Sequence, residues 1–263
     1  KFLGKILNHP KWLPVAVLIP VLIISAILYM AGTLHIPEGP VNYSKFFPHA
    51  WLNVSFTFLW LLSIGLGILG LKNFWNDMKL QNPDSKPKGS FIKNLFAIRK
   101  EIILHSHFSS CTAQKTRKIA HLLVFYGFIL LLFVTAFAIY AAVTHQYPLR
   151  ITNPFKILGN VAAMMLFIGL GIMIINRIFD KQNFGNSTYA DWLFLISMFL
   201  LTLSGVLVEA ARFLNWGTAY YLYFFHLICV WFIIIYLPYT KFGHLLFRVV
   251  AMVYAASVGR KIS

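Results

Sequence analysis

Long apolar blocks dominate this chain, and they constrain its fold more than any other feature. Blocks of about 18 or more apolar residues are typical of transmembrane helices. Six such blocks lie at roughly 12–34, 50–71, 119–144, 155–178, 190–214 and 219–247. Only 11% of the 263 residues are charged, whereas a soluble domain carries about a quarter. The sequence therefore predicts an all-α, integral membrane bundle of six transmembrane helices.

The net charge of +16 is distributed unevenly between the two ends of such a bundle. Of the 23 lysines and arginines, only Lys45, Arg150, Lys156 and Arg212 fall on one side of the predicted membrane. Lys and Arg accumulate in the cytoplasmic loops of membrane proteins, so both termini are predicted to be cytoplasmic. Topology accounts for the basic charge, and no nucleic-acid partner is predicted.

Residues 1–263 are predicted to form a single transmembrane domain, with one sizeable cytoplasmic segment at 72–118. Within it, residues 91–108 alternate apolar and basic side chains with helical spacing. Such a helix either lies on the membrane lipid or docks against a soluble subunit. Small residues in "GLGILG" (65–70) and "IGLGIM" (168–173) indicate close packing between helices. The two cysteines are far apart in this topology and form no metal or disulfide motif.

The last apolar block carries two histidines, His226 and His244, which are 18 positions apart. In a continuous α-helix that interval is five turns and about 27 Å. Both rings would then lie on one face near opposite membrane surfaces, with Pro238 between them as a source of kinking. Polar groups inside a bilayer tend to mark function, and imidazole is a common axial ligand of haem iron. Because one metal cannot reach both rings, the pair predicts two b-type haems.

A third histidine, His121, lies just inside the cytoplasmic end of the third span, at the depth expected for His244. We expect these two residues to ligate an inner haem from opposite sides. The negatively charged propionates of a haem pair with cations. Cations close to this predicted site are Arg117, Lys118, Lys241 and Arg248.

The outer haem would be held by His226, and the sequence leaves its second ligand open. His145, at the end of the third span, ranks first, although it lies off the face of His121 in an ideal helix. His49, at the start of the second span, ranks second. A five-coordinate haem on His226 alone ranks third.

Around these histidines the chain resembles a known family of membrane cytochromes. The histidine pair, with "YLPYTKFGHLLFR" around its second member, is similar to the dihaem cytochrome b subunits of the nitrate reductase gamma and heterodisulfide-reductase-like superfamily. The stretches "RKIAHLLVFYGF", "NPFKILGN" and "STYADW" add a similarity to the membrane cytochrome of the quinone-interacting membrane-bound oxidoreductase complex. The resemblance covers nearly the whole chain and matches His121, His226 and His244 to ligand positions. The nitrate reductase type has a further histidine where this chain has Leu131.

The resemblance implies a function as well as a fold. It implies two haem b groups, a menaquinone site near the outer haem, and a place in the cytoplasmic (inner) membrane of a prokaryote. Electrons would pass between menaquinone and cytoplasmic flavin and iron–sulfur subunits docked on the 72–118 segment. The N-terminal ferredoxin-like domain of this family would be cut away here or be a separate polypeptide. The protein would be the quinone-reactive subunit of an oxidoreductase, without catalysis of its own on a soluble substrate.

Quinone chemistry exchanges protons, so the predicted quinone pocket needs titratable groups. Glu209 and Arg212, one turn apart at the outer end of the fifth span, are the groups available. An ion pair at a helix end is the alternative interpretation of the same two residues.

Two functions from other classes stay open. A proton-conducting channel or transporter would relay protons between His226 and His244, although the residues between them offer few polar groups. A membrane anchor without haem is the second alternative. A b-type haem spectrum would separate both from an electron-transfer subunit.

Overall fold

The computed structural model of the protein describes residues 4, 7, 9–84, 87–104, 113–144, 149–179 and 187–260. These residues form helices and connecting segments without any strand. The long helices are α1 (Leu13–Met30), α2 (His49–Gln81), α3 (Ala113–Val143), α4 (Pro154–Phe179), α5 (Tyr189–Phe213), α6 (Ala219–Tyr236) and α7 (Lys241–Ser257). Short helices cover Tyr43–Phe46, Phe91–Ala97 and Arg99–Leu104.

The all-α class and the six membrane spans are confirmed. Six helical stretches are long and apolar enough to cross a bilayer, the last of them made of α6 and α7 together. In the second and third spans only 11% of the most apolar window is buried inside the protein. Large apolar side chains on the outer face of the second span, such as Val54 and Phe58, are 70% and 68% exposed. Such a surface requires lipid around it, so the chain is a multi-pass membrane protein.

The sixth span differs from the continuous helix predicted over 219–247. A 3-10 turn at Leu237–Tyr239 separates α6 from α7, and Thr240 after it is extended, with φ −99° and ψ −174°. Pro238 causes the break, because it has no N–H to donate and its ring clashes with the preceding turn. The predicted common face of the histidines before and after this turn therefore does not exist as a single helical stripe.

Gly243 makes the return into α7 possible. A side-chain carbon at this position would collide with the carbonyl of Pro238, so only glycine fits the tight approach between the turn and the first turn of α7. This close contact fixes the direction in which α7 leaves the break. It thereby places His244, the next residue along the helix.

α6 lies at the centre of the bundle, where it packs against α1, α2 and α5. Its last six residues are all buried. Two hydrogen bonds tie its end to neighbouring helices. Ser63 Oγ donates to the carbonyl of Ile234 at 2.6 Å, and the Tyr236 hydroxyl donates to the carbonyl of Ala16 at 3.2 Å. These two bonds fix the end of α6 against α1 and α2.

α3 and α4 approach each other closely because glycines lie between them. A Cβ atom at Gly169 would lie 2.9 Å from Val124 Cγ2 and 3.0 Å from the carbonyl oxygen of Ala120. A Cβ atom at Gly127 would lie 3.1 Å from Leu166 Cγ. These distances are below normal contact, so no larger residue permits the same approach. The packing role predicted from "IGLGIM" is confirmed for Gly169.

The cytoplasmic segment predicted at 72–118 is partly helical, because α2 and α3 extend into it from both sides. The helix Phe91–Ala97 packs against α7. The Trp75 ring of α2 makes edge contacts with Phe91 and Tyr254, at 5.9 and 5.2 Å between centroids. Ile92 and Phe96 of this helix are 62% and 63% exposed. An apolar side chain pair is therefore available to lipid or to a partner on this surface.

Candidate functional site

A cavity of about 280 Å³ lies between α3, α4, α5 and α6. Its walls are mainly apolar, with Phe128 and Leu131 from α3, Leu166 from α4 and Val230 from α6. Polar side chains also reach it, namely Lys156, Asn160, Glu209 and His226. Small-molecule sites are usually concave, mostly apolar and about 300–1,000 Å³ in volume, with a few convergent polar groups. This cavity has that character, and its volume is slightly below that range.

His226 enters the cavity from α6, and two consecutive residues of α5 determine its position. Ser204 Oγ lies 2.9 Å from the Nδ1 atom of the imidazole. A Cβ atom at Gly205 would lie only 3.2 Å from the ring carbon Cε1. The ring therefore packs against the backbone of α5, where the missing side chain of Gly205 leaves room for it.

Glu209 and Lys156 form an ion pair beside the same cavity. The Lys156 Nζ atom lies 3.1 Å from Glu209 Oε2, and the two side chains are 26% and 20% exposed. The other carboxylate oxygen, Oε1, is buried and makes no hydrogen bond within the described part of the protein. An unsatisfied buried acceptor is costly, so this oxygen is a ready acceptor for a hydroxyl or N–H donor of a ligand.

Arg212 does not share this site with Glu209. It is not among the residues that line the cavity, and its guanidinium lies 4.9 Å from the centroid of the Phe213 ring. The simple ion pair between Glu209 and Arg212 is replaced by the pair with Lys156. The reason is geometric, because Lys156 begins a different helix that faces α5 across the cavity.

The segment before α2 covers the end of α5 that carries Glu209. The Tyr43 hydroxyl donates to the carbonyl of Val208 at 2.7 Å, and its ring stacks on Tyr223 at 4.3 Å. Burial raises the pKa of Tyr43 to about 12, and the Arg212 charge opposes this only in part. Tyr43 is therefore a neutral hydrogen-bond donor that holds this segment in place.

Of the two candidates for a second outer ligand, the structure describes only His49, and His49 does not line the cavity. His145 lies outside the described residues. His49 begins α2 and is not among the lining residues. On the α3 side the cavity presents the apolar Leu131 and Leu132.

The inner histidines are not brought to one cavity. His244 lines a smaller cavity of about 50 Å³ together with Leu7, Leu193 and Phe232. His121, on α3, is not among its lining residues. Among all described residues, no three His, Cys, Asp or Glu side chains meet as a metal-ion cluster.

A cation predicted beside the inner haem has a partner within the protein. Lys241 Nζ lies 3.0 Å from Asp191 Oδ1, and Arg177 lies 3.7 Å from the same oxygen. Asp191 also closes a capping box with Thr188 at the start of α5. This cluster joins the ends of α4, α5 and α7 and explains why Lys241 is held at the start of α7.

The residues around His226 fit a haem in part. They supply one imidazole and mainly apolar walls. They do not supply the space for a whole macrocycle without adjustment of side chains, because the cavity of about 280 Å³ is small. Around His244 the fit is worse, since neither the volume nor the second histidine is present in the cavity.

Sequence reasoning missed three residues of this site: Lys156, Ser204 and Gly205. Lys156 counts in the sequence only toward the outer charge, because nothing in "NPFKILGN" shows which helix it will face. The dipeptide Ser-Gly in the apolar run of α5 is a signal that was available. Small and hydroxyl-bearing residues in a membrane helix indicate a close neighbour or a polar partner across the interface.

Comparison with known proteins gives one match. The family model described as citrate utilization protein B matches residues 10–262, which is nearly the whole chain. No curated protein matches, and no solved structure matches. The match covers all six spans and the residues of the larger cavity, and on this basis the chain belongs to the citrate utilization protein B family.

Proposed function

We propose that the protein is the haem b membrane subunit of a respiratory oxidoreductase complex in the inner membrane of a prokaryote. It would transfer electrons between menaquinone and cytoplasmic flavin and iron–sulfur subunits that dock on the 72–118 segment. One observation carries the proposal. The imidazole of His226 is held by α5 inside a mainly apolar cavity between the third and sixth spans.

His226 would hold the iron of the outer haem through its second ring nitrogen, Nε2. A bound haem iron carries one electron at a time between its ferrous and ferric states. The apolar walls from α3, α4 and α6 would exclude water from the macrocycle.

Glu209 would exchange protons with the quinone. Oxidation of a menaquinol releases two electrons and two protons, and the protons need an acceptor near the site. The unbonded Oε1 atom of Glu209 would accept a hydrogen bond, and then a proton, from a quinol hydroxyl. Glu209 would pass this first proton to the outer aqueous phase before it accepts the second. Lys156 contacts the other oxygen, Oε2, and thereby holds the carboxylate in place while Oε1 stays open to the quinol.

An inner haem on His121 and His244 is proposed from the sequence alone. The two residues line no common cavity in the described structure. The number of haems per chain therefore decides between one and two sites.

The arrangement favours electron transfer over a proton channel. A channel needs a chain of polar groups from the His226 cavity to the His244 cavity. The residue that lines both cavities is Ile233, and Phe232 lines the smaller one. The one lining residue that the two cavities share is therefore apolar, which supports electron transfer rather than a proton relay.

The test is the haem content of the purified protein and of three variants. We expect a reduced-minus-oxidised b-type spectrum from the wild type, and loss of one haem per chain in His226→Ala. His244→Ala loses a haem only if the inner site exists. His35→Ala is the matched control, because His35 is exposed in the segment between α1 and α2. Colourless wild-type protein, or an unchanged haem content in His226→Ala, would show the proposal to be wrong.

A further inference from the structure

We infer that Ser204 is a positioning residue that fixes the tautomer and the orientation of His226. This role deepens the proposed function and rests on it, since it assumes that the Nε2 atom of His226 binds haem iron. The residue lies one helix away from His226 and does not line the cavity itself.

The hydrogen bonds of Ser204 determine which ring nitrogen of His226 carries the proton. Its Oγ atom lies 3.0 Å from the carbonyl oxygen of Leu201 and 2.9 Å from His226 Nδ1. A carbonyl oxygen only accepts, and a hydroxyl has a single proton to donate. Both contacts are hydrogen bonds in only one arrangement, in which the Ser204 hydroxyl donates to the Leu201 carbonyl and accepts from His226. In that arrangement the proton of the second bond belongs to Nδ1.

The bond leaves Nε2 as the unprotonated nitrogen of a neutral imidazole. Neutral imidazole binds metals through such a lone pair. Ser204 is only 2% exposed, so water does not compete for its Oγ atom. The chain from Nδ1–H through the hydroxyl to the carbonyl of Leu201 therefore prepares His226 as an axial ligand before any haem binds.

Gly205 restricts the ring from the other side. The space where its Cβ atom would lie is 3.2 Å from Cε1, 3.7 Å from Nδ1 and 3.9 Å from Nε2. The imidazole edge thus lies against the helix backbone next to the hydrogen-bonded serine. Ser204 sets the direction of the Nδ1–H bond, and Gly205 sets how far the ring lies from the axis of α5.

The bond also has an electronic consequence for a bound iron. An acceptor on Nδ1–H makes the imidazole a stronger donor to the metal, which favours the ferric state. Removal of the acceptor should therefore shift the midpoint potential of the outer haem to more positive values. A residue that merely fills space would change stability without this shift.

The experiment compares Ser204→Ala with two other variants in the full chain. Ser204→Thr keeps a hydroxyl at the same place and should restore the wild-type potential. Ser63→Ala is the matched control, because Ser63 is also a buried helical serine whose hydroxyl donates to a carbonyl, at 2.6 Å from that of Ile234, but it does not touch His226. Redox titration of the b-type spectrum measures the midpoint potential of each variant.

We expect a positive shift of one haem in Ser204→Ala, and none in Ser204→Thr or Ser63→Ala. Loss of that haem in Ser204→Ala alone is the same result in a stronger form. An unchanged potential with full haem content in Ser204→Ala would overturn the inference while leaving the proposed function intact.

A second measurement reads the tautomer directly and does not need haem. In protein labelled with ¹⁵N-histidine, the His226 signal is identified by its loss in His226→Gln. We expect the haem-free protein to carry the proton on Nδ1, with Nε2 unprotonated, and Ser204→Ala to lose this preference. A proton on Nε2 in the wild type would refute the assignment. Wild-type protein that never binds haem would contradict the proposed function, and the tautomer would still be decided.

Discussion

Substitution of Gly205 by alanine tests how closely α5 supports His226. The added Cβ atom would lie 3.2 Å from the ring carbon Cε1, whereas carbon atoms in contact prefer about 3.5–4.0 Å. The imidazole must therefore move by roughly 0.3–0.8 Å, away from α5 and toward the cavity. Overpacking of this kind costs about 1–3 kcal/mol, and alanine in a helix returns about 0.5–1 kcal/mol relative to glycine. The net loss in the free energy of unfolding is about 0–2.5 kcal/mol.

Gly171→Ala is the matched control, because a Cβ atom at this position of α4 would meet nothing within 4 Å. We expect this variant to gain about 0.5–1 kcal/mol from helix propensity alone. The difference between the two variants, about 1–3 kcal/mol, isolates the contact with His226. Equilibrium unfolding in mixed micelles measures it, and the haem spectrum expected under the proposed function would report the displaced ring. Equal stability of the two variants with an unchanged spectrum would refute the packing that places His226.

Three further predictions concern other contacts of the bundle. Gly169→Ala should lower the free energy of unfolding by the upper part of about 1–3 kcal/mol or more, because its Cβ atom would lie 3.0 Å from the rigid carbonyl of Ala120. A variant as stable as the wild type in the same unfolding assay would contradict this close approach. Asp191→Asn and Lys241→Met should show a coupling of only about 0.5–1 kcal/mol in a double-mutant cycle, because Lys241 is 42% exposed; strictly additive effects would mean that the pair does not form. Burial raises the pKa of Tyr43 in the folded protein from 10.0 to about 12. The bond from Tyr43 to Val208 should therefore stabilise the protein fully below pH 10.0 and lose its effect as pH rises through about 12. An alkaline unfolding profile that is the same in Tyr43→Phe would exclude this contribution.

The spans and their number were predictable because each apolar block meets the requirement of the bilayer by itself. A helix in lipid satisfies its own backbone hydrogen bonds, so no tertiary information is needed to identify it. The break at Pro238 was also visible as a source of kinking. Its size was not, because the extended Thr240 and the close approach of Gly243 to the Pro238 carbonyl depend on how α7 packs against α2.

The site was only partly predictable. His226 stands out as an imidazole in an apolar block, and Glu209 as an acid near a membrane surface. Their partners come from other helices, Ser204 from α5 and Lys156 from α4. Sequence distance carries no information about these pairs, since helix rotation and tilt decide which side chains meet.

By itself, the sequence determined the class of the fold and the six spans, because these depend on local composition and length. It also identified the few polar groups inside the spans, which are costly to bury in lipid and therefore tend to mark function. Only the tertiary structure decided which of those groups share a cavity. It joined His226 with Glu209 and Lys156, and it kept His244 in a separate cavity without His121. The physical reason is that close packing at residues such as Gly205 and Gly169 sets the rotations of the helices and the distances between them. The sequence of one helix does not specify these quantities, because they depend also on the helix that packs against it.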